Sequence, residues 1–137
     1  MAGEALLAEM EALRDRVSGI TDTALATRDG LLMKADTADV DPDNIAAMAS
    51  AMLSVARTMA AEARRGSLQE ATTRGSGGYI ATYAVGATAL LVVVGDTGLD
   101  LAQLYRESRA TVENLRRLLG STAGQASLAP AASLLAA

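Results

Sequence analysis

Leu6, Met10, Leu13 and Val17 recur at spacings of four, three and four, while Glu4, Glu9, Glu11, Arg14 and Asp15 fall mostly off that line. One apolar stripe at the helical period predicts an amphipathic helix over 3–17. The next two runs, 17–27 and 31–37, are rich in β-prone residues and flank Arg28-Asp29-Gly30. Asp-Gly between two such runs predicts a hairpin, because glycine accepts the positive φ of a tight turn. Gly19, near the start of the first strand, predicts a bulge or a close backbone approach.

Asp41-Pro42-Asp43 has the chemistry of a helix start: a capping carboxylate, a proline suited to the first position, and an acid at the positive dipole end. The helix is expected to run to Arg65 and stop at Gly66, with Arg64 and Arg65 complementing its negative end. On a helical wheel Ile45, Met48, Ala49, Met52, Leu53, Val55, Ala56, Met59, Ala60 and Ala63 share one broad side. Ala47, Ser50, Ala51, Ser54, Thr58 and Ala61 share the other, where a solvated helix carries Glu, Lys and Arg. The pattern predicts a helix packed on two sides, its larger residues on a sheet and its small ones against a second helix. One domain of this size has no such helix to spare, so a second subunit is the expected source. Arg57 is the only charge between Asn44 and Ala61.

Residues 68–74 alternate weakly, Glu70, Thr72 and Arg74 on one face, and suit an edge strand or subunit boundary. From Gly75 to Gly95 no charge occurs, which raises the question of a membrane span. The apolar part, 79–94, would make about 24 Å of helix against a hydrocarbon core of about 30 Å. Its Tyr, Ile, Thr and Val content and Gly86 favour a hairpin of strands 79–85 and 88–94, the second central and covered on both faces. Thr97 to Asp100 has the spacing of a capping box. The final stripe of Leu101, Leu104, Tyr105, Ser108, Val112, Leu115 and Leu119 predicts a helix ending at Gly120. The expected division is a domain over 1–120 and an Ala/Ser/Leu tail over 121–137.

Composition narrows the function. The 137 residues are 50% hydrophobic, enough for one core, with no Phe or Trp. His and Cys are absent and Lys34 is the only lysine, so zinc sites, thiol nucleophiles, His-dependent triads and disulfides are excluded. The Gly-Lys-Ser/Thr of a phosphate loop is missing, and Gly75-Ser76-Gly77-Gly78 lies between strands, where it reads as a turn. Asp36, Asp39, Asp41 and Asp43 cluster, but without the glycine and distal Glu of a calcium loop; solvated acids around a helix cap explain them. A net charge of −4 argues against nucleic-acid binding. Acids where a signal peptide has bases lead to the expectation of a cytoplasmic protein. No enzyme, cofactor or metal is expected.

The element order, αββαβββα, and the text Val17-Ser18-Gly19-Ile20 with Ala24-Leu25-Ala26-Thr27-Arg28-Asp29-Gly30-Leu31 resemble the roadblock/LC7 family. Residues 78–85 and 89–94 fit that family's last two strands, and the resemblance spans 6–119. It implies an α+β fold: a five-stranded antiparallel sheet with the long helix on one face and the terminal helices on the other. It also implies homodimers in which the third strand and long helix meet their symmetry mates, which places Ala47, Ser50, Ala51, Ser54, Thr58, Ala61, Glu70 and Thr72 at the dimer interface. Composition resembles that of the single-domain members of actinobacterial conservon operons, which also encode a Ras-like GTPase and a sensor-kinase-like protein.

That likeness implies a non-catalytic regulator or adaptor of a small Ras-like GTPase, reached at the inner face of the membrane through a partner, with Arg57 as the partner-binding charge. The competing reading is a scaffold joining the sensor-kinase-like protein to other components without effect on GTP hydrolysis. For Arg64 and Arg65 a solvated last turn suffices.

Overall fold

The computed structural model describes residues 2–128. It contains α1 (Ala2–Arg16), β1 (Ile20–Thr27), β2 (Leu32–Asp36), α2 (Pro42–Glu62), β3 (Glu70–Gly75), β4 (Gly78–Val85), β5 (Ala89–Gly95) and α3 (Leu101–Leu128), the order expected. All strand pairs are antiparallel, in the order β2-β1-β5-β4-β3. The uncharged run is therefore the β4–β5 hairpin, and β5 is the central strand, buried on both faces.

Alternation along the strands sends two different sets of side chains to the two faces. Leu25, Leu91, Val93, Ala81 and Tyr83 pack with Leu6, Met10 and Leu13 of α1 and Leu104 and Leu115 of α3. Ala24, Ala26, Leu90 and Val92 pack with Ala46, Ala49 and Leu53 of α2. The result is three layers, with α1 and α3 together on one face and α2 alone on the other.

Two glycines do what the sequence asks of them. Gly30 has φ of +89°, and a Cβ there would lie 3.1 Å from the Ala47 Cα, so the β1–β2 turn is pressed against α2. Gly19 has φ of +96°, and a Cβ would come within 2.6 Å of the Leu99 backbone. The register of β1 on β5 shifts between Ile20 and Asp22, beside that close approach.

Helix ends follow the sequence in one case and depart from it in three. Asp41 caps α2, its Oδ1 accepting from the amides of Asp43 (3.0 Å) and Asn44 (3.3 Å), with Pro42 in the first helical turn. At the other end α2 stops at Glu62, so Arg64 and Arg65 lie beyond the helix instead of in its last turn. The Arg65 amide donates to the Ala60 carbonyl and the Arg64 amide to the Ala61 carbonyl, a closure that puts Arg64 in the left-handed region at φ +56°. The cap of α3 is Asp100, whose Oδ1 accepts from the Gln103 amide at 3.0 Å; Thr97 does not serve. Helix α3 also continues through Gly120 to Leu128, past the end of the apolar stripe. The rest of the expected tail, 129–137, lies outside the described residues.

Asp22 carries a role that the sequence does not signal. It is buried in β1, and its Oδ2 accepts from the amides of Ala38 (2.7 Å), Asp39 (3.2 Å) and Val40 (3.5 Å). Burial pushes its pKa up, but the hydrogen bonds it accepts outweigh burial and leave it below the usual value of 3.8. A folded value below the unfolded one means that the stabilisation is complete at neutral pH. It declines as pH falls through the ordinary carboxylate range and is gone below the folded pKa.

Asp22→Ala leaves three amides without an acceptor and is expected to cost about 2–4 kcal/mol in urea unfolding at neutral pH. Repeating the titration below about pH 3 should shrink that gap. Arg64→Gly relieves the left-handed strain and is expected to raise stability by about 1 kcal/mol, read as a higher urea midpoint at unchanged slope.

Candidate protein-interaction surface

The side of α2 that meets the sheet combines small residues with Leu53 and the partly buried Ile45. Ala46, Ala49 and Leu53 are buried, and Ser50 is half-buried, donating its hydroxyl to the Arg28 carbonyl at 2.5 Å. The larger residues stand outward: Met48 is 61% exposed, Val55 67% and Met59 65%, with Met52 at 41%. The expected sheet side is met in part: Ile45, Ala49 and Leu53 pack on the sheet, but Met48, Met52, Val55 and Met59 of the same side do not. The helix is turned about its axis so that Ala46 lies over the sheet and the Gly30 turn touches the Ala47 Cα, which carries the methionines outward.

The small residues Ala47, Ala51, Ser54, Thr58 and Ala61 are also exposed, as expected, while Ser50 turns inward to the β1–β2 turn. The outward surface of α2 thus joins a stripe of small residues to a stripe of large flexible ones, with no charge along it from Asn44 to Ala56. Four exposed large apolar side chains on one helix exceed the scattered singles normal for a surface, and methionine suits a face that must fit a partner.

The surface continues onto β3, an edge strand with one side of its backbone unpaired by the sheet. Its Thr73 hydroxyl lies 3.2 Å from the Met52 sulfur, so strand and helix form one surface. Glu70 and Thr72 face the other way. Thr72 Oγ1 is 3.4 Å from the Tyr105 hydroxyl of α3, and Glu70 lines a cleft with Tyr83, Tyr105, Ser108 and Arg109. In that cleft burial pushes the Tyr83 hydroxyl up to about 12. Burial also raises Glu70, with Arg109 pulling it back. A phenol titrating there stays neutral near pH 7.

Arg57 sits half-buried on α2 and, with Arg28 from the β1–β2 turn, borders a second cleft beside Ala51 and Ser54. Nothing in the sequence singles out Arg28, where it is only the residue before Asp-Gly. Among the described residues no group of three or more Asp or Glu could hold a metal ion, and Asp41 of the acidic cluster is a helix cap. No helix among them is long and apolar enough to cross a membrane.

Comparison with known proteins adds family to geometry. No curated protein matches the chain. A Roadblock/LC7 domain from Streptomyces avermitilis is 26% identical, with a TM-score of 0.75 over 81% of this chain and 94% of that one. The gliding protein MglB of Thermus thermophilus superposes with a TM-score of 0.76 at 20% identity, over 86% of this chain and 90% of that one. MglB of Myxococcus xanthus gives 0.77 at 15% identity, over 85% and 95%. The model of the Roadblock/LC7 domain matches residues 6–95, from the first core leucine of α1 to the last residue of β5, and the chain belongs to that family.

Proposed function

We propose that this chain is a non-catalytic homodimeric regulator or adaptor of a small Ras-like GTPase in a bacterial signalling system. The observation that carries the reading is the outward face of α2, where Met48, Met52, Val55 and Met59 are exposed together beside an uncharged stripe of small residues. Covering those side chains with a second copy, helix against helix and β3 edge against β3 edge, removes the apolar surface from water and pairs the open strand. Ala47, Ala51, Ser54, Thr58 and Ala61 let two such helices approach closely. Glu70 and Thr72 lie at the rim, on the α3 side of the same strand. The GTPase enters from family membership. Two α2 helices side by side make a broad platform, and Arg57 is among its few charges. The protein acts in the cytoplasm, at the inner face of the membrane when a partner carries it there.

Sedimentation is expected to give a dimer at micromolar concentration. Ala51→Arg or Ser54→Arg would bury an unpaired charge at a cost of about 3 kcal/mol or more, weakening the dimer by at least about 100-fold. Normal dimers from either variant would make this face solvent-exposed. Arg57→Glu is expected to leave the dimer intact and to weaken binding of the GTPase encoded beside the gene, with a salt-dependent affinity in the parent. Titration against both nucleotide states, with GTP turnover measured alongside, separates a regulator from a scaffold. Unchanged affinity for Arg57→Glu moves the contact off this helix.

A further inference from the structure

The β1–β2 turn and α2 enclose an open cleft of about 480 Å³ lined by Arg28, Asp29, Ser50, Ala51, Ser54 and Arg57, with buried Leu53 behind them. Two facts bear on its chemistry. Arg28 Nε and Arg57 Nη2 are both buried without a hydrogen-bond partner. Neither guanidinium takes part in a salt bridge; the ion pairs among the described residues belong to Arg14, Arg16 and Arg116.

Buried N–H donors on charged groups are expensive to leave unpaired, and two like charges beside each other add repulsion. Consistent with this, burial and then the charge of Arg57 push Arg28 below its usual pKa. The arrangement is nonetheless held in place. The Arg28 amide donates to the Thr88 carbonyl at 2.9 Å, its carbonyl accepts from Ser50, and Gly30 presses the turn onto α2.

We propose that the Arg28–Arg57 cleft is a receptor for a phosphate group. The chemistry matches on two counts. Two unpaired guanidinium groups are neutralised by a dianion, whereas a carboxylate would leave half of their charge uncompensated. The donors come from both sides of the cleft, Arg28 on the turn and Arg57 on α2, at the edge of the face that a second copy would cover. A tetrahedral dianion can accept from both guanidinium groups with oxygens to spare; a planar carboxylate has only two oxygens. Asp29, exposed on the rim and in no salt bridge with either arginine, opposes the anion and limits its affinity. The site needs no protein partner, so it stands or falls apart from the GTPase reading. Free phosphate and a phosphorylated side chain share the recognised chemistry.

The test is calorimetric titration of the full chain at low ionic strength with inorganic phosphate, O-phospho-L-threonine and acetate as separate ligands. One saturable phosphate site per chain is expected. It should be weakened by about tenfold or more in Arg28→Gln and in Arg57→Gln and tightened in Asp29→Asn. Thermal melts of each variant establish that it is folded. Binding of O-phospho-L-threonine as well as phosphate identifies a phosphorylated side chain as a source that fits; binding of phosphate alone identifies the free anion. The proposal is overturned by the absence of saturable phosphate binding, by equal affinity in folded Arg28→Gln and Arg57→Gln, or by acetate binding as tightly as phosphate.

Discussion

The close seat of α2 on the sheet governs the rest of the molecule. Ala46, Ala49 and Leu53 of the helix share one packed cluster with Ala24 and Ala26 of β1 and Leu90 and Val92 of β5. The Asp41 cap starts the helix, the Gly30 turn touches it at Ala47, and the Ser50 hydroxyl ties it to the Arg28 carbonyl. These contacts fix the rotation of α2 about its axis. Once that rotation is fixed, the positions of Met48, Met52, Val55, Met59 and Arg57 follow from the helical period alone.

The two faces of the sheet solve the packing problem differently. Beneath α1 and α3 the core is built from Leu, Met, Val and Tyr, and it closes on itself. Beneath α2 the core is small, and the large apolar residues of that helix lie on the outside. A chain that needed only to fold as a monomer would place its methionines under the helix and its charges above. Outward methionines make sense if the outer surface is itself a packing surface. The uncharged stretch of α2 and the open edge of β3 then form one apolar, strand-extending interface. Arg28 and Arg57 stand at its border, where the turn meets the helix.

Features that depend on neighbours along the chain are legible in the sequence itself. Gly30 and Gly19 announce a turn and a close approach, and Asp41-Pro42-Asp43 announces a helix start, because each rests on the local conformation of a few residues. The hairpin in the uncharged run is legible from β-branched content and length. The roadblock/LC7 resemblance supplies the layer order. The exact rotation of α2 is not legible: the wheel gives one broad side, of which Ile45, Ala49 and Leu53 meet the sheet while Met48, Met52, Val55 and Met59 do not. Gly66 marks a stop for α2, yet the closure falls at Arg64, where the Arg64 and Arg65 amides bond back to the Ala61 and Ala60 carbonyls. Asp22 and the Arg28–Arg57 cleft escape for a related reason. The amides on Asp22 lie 16–18 residues away and Arg57 lies a whole helix beyond Arg28, so only the assembled turn, strand and helix bring them together.

The central claim is that a second copy of the chain covers the outward face of α2. The chain has no cysteine, so a single introduced thiol carries a spin label at one defined place. Glu62→Cys puts the label at the exposed end of α2, beyond the apolar stripe, and Glu11→Cys puts it on α1 across the sheet. Pulsed dipolar spectroscopy at micromolar concentration is predicted to give one well-defined intermolecular distance for Glu62→Cys and a longer one for Glu11→Cys. An absence of dipolar coupling at Glu62→Cys, or a shorter distance from Glu11→Cys, would contradict the account.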